Sequence, residues 1–341
     1  MKVVTFGEIM LRLSPPGFER LLQSPSLHAT FGGGEANVAV SLATLGLDSW
    51  YLTRLPQNGL GDAAIRALRA EGVRTEAILR GGSRLGVYFT EAGASQRPST
   101  VLYDRAHSAI SELEPDAVDW AGVMADAGWL HVTGITPALG SRGTACTQAA
   151  IAAARHAGAR VSVDLNFRRK LWTETQAQAV MRPLVTGVDL VIANEEDLQA
   201  TLGIQVTDTN VTTGALALEG YRAAARELSE TLGVAMVAIT LRESLSASDN
   251  GWSAALYDHA AGEFVTGQHY DVRLVDRIGG GDAFAAGLIY GLVTGRGGPA
   301  ALRFAIAASA LKQTIPGDFN RVTVEEVDRL AGGDASGRVQ R

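Results

Sequence analysis

The chain has 341 residues, 46% of them hydrophobic and 19% charged, which is enough apolar material for a large core and far from the composition of disordered chains. Its net charge of −6 is the wrong sign for the basic stripe of a nucleic-acid binder, and no apolar run reaches the ~18 residues of a membrane span. Cys146 is the single cysteine, so an internal disulfide and a Cys-based zinc site are excluded, and a small buried hydrophobe is the expected role of its thiol.

Short apolar runs rich in β-branched residues alternate with longer, Ala-rich helical stretches. In chain order the sequence predicts a strand at Val3–Phe6, helix at Ala36–Leu45, strand at Ser49–Thr53 and helix at Asp62–Glu71. Strand follows at Trp129–Val132, helix at Thr144–His156, strand at Val161–Leu165, helix at Ala177–Val185 and strand at Leu190–Ala193. The chain then runs through helix Tyr221–Leu232, strand Met236–Leu241, and helices Ala283–Val293 and Ala300–Gln313. Repeated strand-then-helix order, with strands that are apolar without clean alternation, predicts a doubly wound, mostly parallel sheet with helices on both faces.

Two stretches break the rhythm. Residues 11–31 hold prolines and polar residues, and residues 86–105 hold two extended segments, Val87–Thr90 and Val101–Arg105. They are read as strands of a small β lid off the main sheet, the kind of element that closes over a site; ordinary hairpins without that role are the alternative. One unit over 1–331, with this lid, is expected, followed by a flexible Gly-rich tail over 332–341. The start, Met1 to Gly7, is too soon broken for a signal peptide, so a cytoplasmic protein is expected. Exposed lid strands offer edges for pairing between copies, so a homo-oligomer built through the lid is expected as well.

Motif searching removes several chemistries. The three lysines, Lys2, Lys170 and Lys312, form no Walker loop; there is no His-Glu-x-x-His, no His-Arg-Asp and no Gly-x-Ser-x-Gly. The turn after the first strand, Gly7-Glu8-Ile9-Met10, is no dinucleotide fingerprint either.

The most informative segment is Asp276-Arg277-Ile278-Gly279-Gly280-Gly281-Asp282-Ala283-Phe284-Ala285-Ala286-Gly287. Three glycines running into an apolar helix bring unpaired N–H groups and the positive end of the helix dipole together, which makes an anion site. A carboxylate at the rim would repel phosphate, unless Asp282 faces a hydroxyl and takes its proton as the phosphoryl group arrives, an effect worth roughly 10²–10⁴-fold in rate. A helix cap is the simpler role for such an aspartate. The pattern Asp-x-x-Gly-Gly-Gly-Asp-x-Phe-x-x-Gly resembles the C-terminal signature of the ribokinase-like (PfkB) carbohydrate kinases. That resemblance implies that Gly279, Gly280 and Gly281 form the anion hole and that Asp282 is the catalytic base. Arg277 stands where the family usually has Thr, so no potassium requirement is assumed.

Gly32-Gly33-Gly34-Glu35-Ala36-Asn37 is similar to the family's other signature, and implies sugar contacts from Gly33, Gly34 and Asn37. Asn194-Glu195-Glu196-Asp197 resembles the family's Asn-x-x-Glu, which implies that Asn194 serves the nucleotide and Asp197 serves magnesium through water; an acidic helix start explains the same residues. The resemblance covers residues 1–331 and implies ATP and Mg²⁺ as cofactors. Within the family the chain is most similar to kinases of 2-keto-3-deoxygluconate, through Tyr88 in Gly-Val-Tyr-Phe, Tyr103-Asp104-Arg105, Asp164-Leu165-Asn166-Phe167-Arg168 and Pro316-Gly317-Asp318.

A sugar acid needs a cation for its carboxylate, and arginine's planar fork suits it. Arg105 and Arg168 are therefore expected to bind it, Tyr88 and Tyr103 to wall the site, and Asp318 to accept from a sugar hydroxyl. Asn166, Thr240 and Arg242 are expected near the nucleotide, with Arg242–Trp252 as a polar loop beside it. Asp282, at the ordinary carboxylate pKa of about 3.9, is expected to be ionised throughout. The expected reaction is ATP-dependent phosphorylation of the terminal C6 hydroxyl of 2-keto-3-deoxygluconate. Another sugar kinase of the family, acting on fructose, ribose or a deoxy-keto-inositol acid, and a non-catalytic sugar or nucleotide sensor are the alternatives.

Overall fold

The computed structural model describes residues 1–206 and 218–337. Among these residues a nine-stranded sheet runs in the order Glu263–Thr266, Asp249–Asp258, Met236–Ser244, Leu190–Ala193, Arg160–Asp164, Ala127–Thr133, Lys2–Phe6, Asp48–Leu52, with Tyr270–Arg273 also pairing to Asp249–Asp258. From Met236–Ser244 through to Asp48–Leu52 every pairing is parallel; the strands at the other end are antiparallel.

Most of the parallel strands feed two cores, because successive side chains point to opposite faces. Val4, Val191 and Val237 enter one apolar cluster with Ile151, Met181 and Leu228, from the helices Ser141–His156, Glu174–Val185 and Leu218–Leu232. Their neighbours Val3, Ile192 and Ala238 enter another with Leu42, Phe284 and Phe304, from the helices Gly34–Thr44, Gly280–Val293 and Gly298–Lys312. This explains why the strands read as continuous apolar runs. Cys146 lies buried in the first cluster, as expected.

A second, four-stranded sheet has the order His28–Gly32, Met10–Ser14, Gly86–Glu91, Thr100–Asp104, with the two central strands parallel. Its outer strand Thr100–Asp104 is largely exposed, whereas Gly86–Glu91 is largely covered. No described helix is long and apolar enough to cross a membrane.

Two differences from the sequence reading have physical causes. Arg242–Trp252 is not a loop: Met236–Ser244 and Asp249–Asp258 form an antiparallel hairpin whose turn meets the lid, Ala247 N donating to Ser95 O at 2.8 Å and Ser95 N to Ser248 Oγ at 3.0 Å. Its polar and small residues hide a strand buried along nearly its whole length. The helix Val324–Ala331 escaped notice because it is short and half charged, although Thr323 and Glu326 make a full capping box before it. The tail begins as a turn at Gly332–Gly333, and its residues 338–341 lie outside the described residues.

Candidate active site

The parallel strands end at Thr133, Asp164 and Ala193, and their C-terminal ends, the lid and the glycine turn enclose a cavity of about 590 Å³. Doubly wound sheets hold ligands at this end, and the size suits a small-molecule site. Its lining includes every residue that the sequence reading singled out: Gly33, Gly34, Asn37, Tyr88, Tyr103, Arg105, Asn166, Arg168, Asn194, Asp197, Thr240, Arg242, Gly279, Gly280, Gly281, Asp282 and Asp318.

The glycine turn sets the geometry. Gly279 caps the helix Gly280–Val293 at φ +83°, and a side chain there would stand 2.1 Å from the carbonyl oxygen of Asp318; both facts require glycine. Gly280 N donates to Arg277 O at 3.3 Å, so that amide is partly occupied. The helix ladder starts with Ala283 N to Gly279 O at 2.9 Å, which leaves the Gly281 and Asp282 amides as first-turn donors with no helical acceptor. The first-turn amides open at this helix start are thus those of Gly281 and Asp282.

Asp282 is no helix cap, since Gly279 holds that position and makes no side-chain bond. It lies in the first turn and faces the cavity. Asn37 Nδ2 donates to its Oδ2 at 2.7 Å, while Oδ1 points toward Gly34, 3.7 Å from where a side chain on that glycine would begin. Burial pushes Asp282 up to about 6, against the pull of the Asn37 hydrogen bond, and Asp318 adds to the rise. The ordinary carboxylate value expected from sequence is therefore corrected upward, because the sequence shows no desolvation. Asn37 also accepts from Gly33 N at 3.3 Å, so that amide is not the free sugar donor expected.

The lid contributes Tyr88, which is buried and donates to Asp318 Oδ2 at 2.5 Å, and Tyr103, which is half exposed and stacked on Tyr88 with ring centroids 6.0 Å apart. Arg12, which the sequence reading did not single out, donates to Asp318 Oδ1 and to Asp276 Oδ2, both at 2.6 Å. Burial opposes the Arg12 charge, but Asp318 and Asp276 outweigh it. Both Asp318 oxygens are thus engaged, and the lid is tied to the segments on either side of the glycine turn.

Two further residues of the cavity already have protein partners. Arg105 is buried and its guanidinium is paired with the buried Glu8, so its charge is already balanced. Asp197 Oδ1 accepts from Phe167 N at 2.8 Å and Oδ2 from Asn194 N at 3.2 Å, while Asn194 Oδ1 accepts from Asp197 N at 2.9 Å. That is the capping box of the helix Glu195–Leu202, and it spends the carboxylate that was expected to serve magnesium. Among the described residues no cluster of three metal-ligating side chains occurs.

Arg168 differs from Arg105. Among the described residues its Nη1 donates to Phe167 O alone, at 3.0 Å, and its charge is felt by Asp164, Asp197 and Asp282. Asp164, missed as a site residue, is raised well above its usual range by burial and then by Asp197 and Asp282. The segment that carries both turns sharply at Asn166, whose φ is +41°. On the far side, Arg277 donates from Nη2 to Asn250 Oδ1 at 3.2 Å, and its pKa is lowered by burial and by Arg242. Buried polar atoms of Arg277 (Nε), Asn250 (Nδ2) and Trp252 (Nε1) have no partner there. Arg242 and Arg277 both line the cavity here, and two guanidinium charges suit a multiply charged acceptor-rich group.

An α/β sheet with a β lid, an open helix N-terminus for an anion and a cavity-facing carboxylate beside it define a phosphoryl-transfer site for a hydroxyl compound. The chain belongs to the pfkB family of carbohydrate kinases, whose model matches residues 1–321. It is 35% identical over 337 residues to the 2-dehydro-3-deoxygalactonokinase of Haloferax volcanii, covering 98% of each chain. With the 2-dehydro-3-deoxygluconokinase of Bacillus subtilis (strain 168) it shares 28% over 327 residues, covering 96% and 94%. The crystal structure of the 2-dehydro-3-deoxygluconokinase of Thermotoga maritima superimposes with a TM-score of 0.93 at 49% identity, covering 98% of each chain.

Proposed function

We propose that this carbohydrate kinase transfers the γ-phosphoryl group of ATP to the C6 hydroxyl of 2-keto-3-deoxygluconate, giving 2-keto-3-deoxy-6-phosphogluconate. The observation that carries the reading is Asp282: a carboxylate at the mouth of an open helix N-terminus, facing the cavity, with Asn37 as its hydrogen-bonding partner. In that position Asp282 accepts the hydroxyl proton while the alcohol oxygen attacks the γ-phosphorus and the bond to the β-phosphate oxygen breaks, leaving ADP. The Gly281 and Asp282 amides stabilise the charge on the migrating group.

Arg168 binds the substrate carboxylate, Gly34 and Asn37 line the hydroxyl side, and Tyr88 and Tyr103 wall the sugar and exclude water. Arg242, Arg277, Asn250 and Trp252 receive the nucleotide's phosphates, with Thr240, Asn166 and Asn194 alongside. Magnesium, when bound with ATP, would supply screening of the phosphate charge. Asp164, which lines the cavity and feels the charges of Asp197 and Asp282, would be the residue to hold it. Residues 1–331 act as one unit, with lid strands from about 11–31 and 86–105, in the cytoplasm, and copies pair through the exposed strand Thr100–Asp104, where Leu102 is 54% exposed.

The C4 epimer, 2-keto-3-deoxygalactonate, is the second reading, favoured by the name of the 35%-identical relative. An ADP-release assay across both epimers, fructose and ribose tests the proposal. Acids should exceed neutral sugars in kcat/KM by about 10²-fold or more, as expected where a charged pocket is left unpaired by the wrong substrate. Equal turnover of fructose would overturn the sugar-acid reading.

A further inference from the structure

Lys312 ends the helix Gly298–Lys312 and is fully buried, yet among the described residues no carboxylate holds its ammonium. Of the three acids whose charge it feels, Asp276 and Asp318 give their carboxylates to Arg12, and Asp282 accepts from Asn37. Instead Nζ donates to main-chain carbonyls: Ile278 O, Gly317 O at 2.6 Å, Asp276 O at 3.2 Å and Ile315 O at 3.5 Å. The first pair of carbonyls, from Asp276 and Ile278, comes from the run into Gly279–Gly281. The second pair, from Ile315 and Gly317, comes from the run into Asp318, whose own carbonyl oxygen crowds Gly279.

Carbonyl dipoles that converge from two loops repel one another, and a ring of them is what replaces the hydration shell of a weakly hydrated monovalent cation. A neutral amine cannot serve, because its lone pair would face carbonyl oxygen; the ammonium has three donors and no acceptor. The cage therefore selects the charged form, although burial disfavours it and lowers the pKa.

We propose that Lys312 is a positioning residue, a covalently built-in monovalent cation that clamps the two segments beneath the anion-binding turn, so that phosphoryl transfer needs no added potassium or ammonium. This rests on the kinase reading, and it explains how the turn is held with Arg277 rather than Thr in its approach. Lys312→Met keeps most of the side chain's volume and empties the cage of charge; K⁺ and NH₄⁺ are the ions that fit it, whereas tetramethylammonium is too large.

Initial rates are measured in tetramethylammonium, sodium, potassium and ammonium chlorides at equal ionic strength, with melting curves beside them. The wild-type rate should stay within about twofold across the series, the residue of general screening. Lys312→Met should lose about tenfold or more in tetramethylammonium, as when a transition-state donor is displaced. It should recover several-fold in potassium or ammonium, with a higher melting temperature in those salts only. A wild-type rate that rises about tenfold with potassium overturns the proposal. So does a folded Lys312→Met whose rate and melting temperature ignore every cation. The wild-type series needs no variant, so a Lys312→Met that fails to fold leaves the test standing. If the wild type phosphorylates no sugar at all, the kinase reading fails separately, and the melting curves of Lys312→Met with and without potassium still decide the cage.

Discussion

Asn37 and Asp282 are separated by 245 residues and joined by a 2.7 Å hydrogen bond from Nδ2 to Oδ2. The contact brings the two glycine-rich turns, one from each end of the chain, to a single carboxylate. It also fixes which Asp282 oxygen is free: Oδ2 is held, and Oδ1 faces Gly34 and the cavity.

Asp282→Asn keeps the shape and removes the base. Turnover should fall by about two orders of magnitude or more, while calorimetry shows ATP binding close to wild type. Near-normal turnover would reduce Asp282 to a residue of the helix start.

The Asp282 titration has a sign for activity and another for stability. Its carboxyl is raised by burial from 3.8 to about 6, so kcat/KM should fall with a one-proton slope as pH drops below that value. Because the folded state binds the proton more tightly than the unfolded one, ionised Asp282 opposes folding above about pH 6, and the penalty fades below about pH 4. Asp282→Asn should thus melt higher than wild type at pH 7.5, with the gap closing at low pH. An equal or lower melting temperature at pH 7.5 would argue against the buried charge.

Asn37→Ala removes the hydrogen bond that lowers the Asp282 pKa. The acid limb of the pH–rate profile should move to higher pH, and kcat/KM at neutral pH should drop about tenfold or more, in line with ~1.5–3 kcal/mol for a hydrogen bond to a charged group. An unmoved limb would mean that the bond does not tune the base.

Arg168 and Arg105 should separate by experiment. Arg168→Ala should raise KM for the keto acid about tenfold or more and leave weak turnover of a neutral sugar unchanged. Arg105→Ala strands Glu8, buried and paired to it, and should cost about 3–5 kcal/mol of stability; adding Glu8→Gln should recover part of that. Denaturant curves check the second outcome and substrate kinetics the first.

Leu102 lies on the outer lid strand, exposed to 54%. If copies pair there, Leu102→Asp should shift the mass in light scattering from the oligomer to the monomer without changing the far-UV spectrum. An unchanged mass would move the interface elsewhere.

Local patterning alone determined the α/β alternation, the helices that flank the sheet and the two glycine turns, because periodicity, β-branched runs and turn residues act over a few positions. The candidate cavity was legible through those two turns and through the family resemblance that singled out Tyr88, Tyr103, Arg105, Arg168 and Asp318. Tertiary structure alone decided the partners. Arg12 reaches Asp276 and Asp318 across most of the chain, Glu8 neutralises Arg105, and four carbonyls close on Lys312. Nothing in the spacing of these residues encodes the pairings. Burial, which raises Asp282 and makes each buried charge find a counterpart, exists only once distant segments have excluded water together.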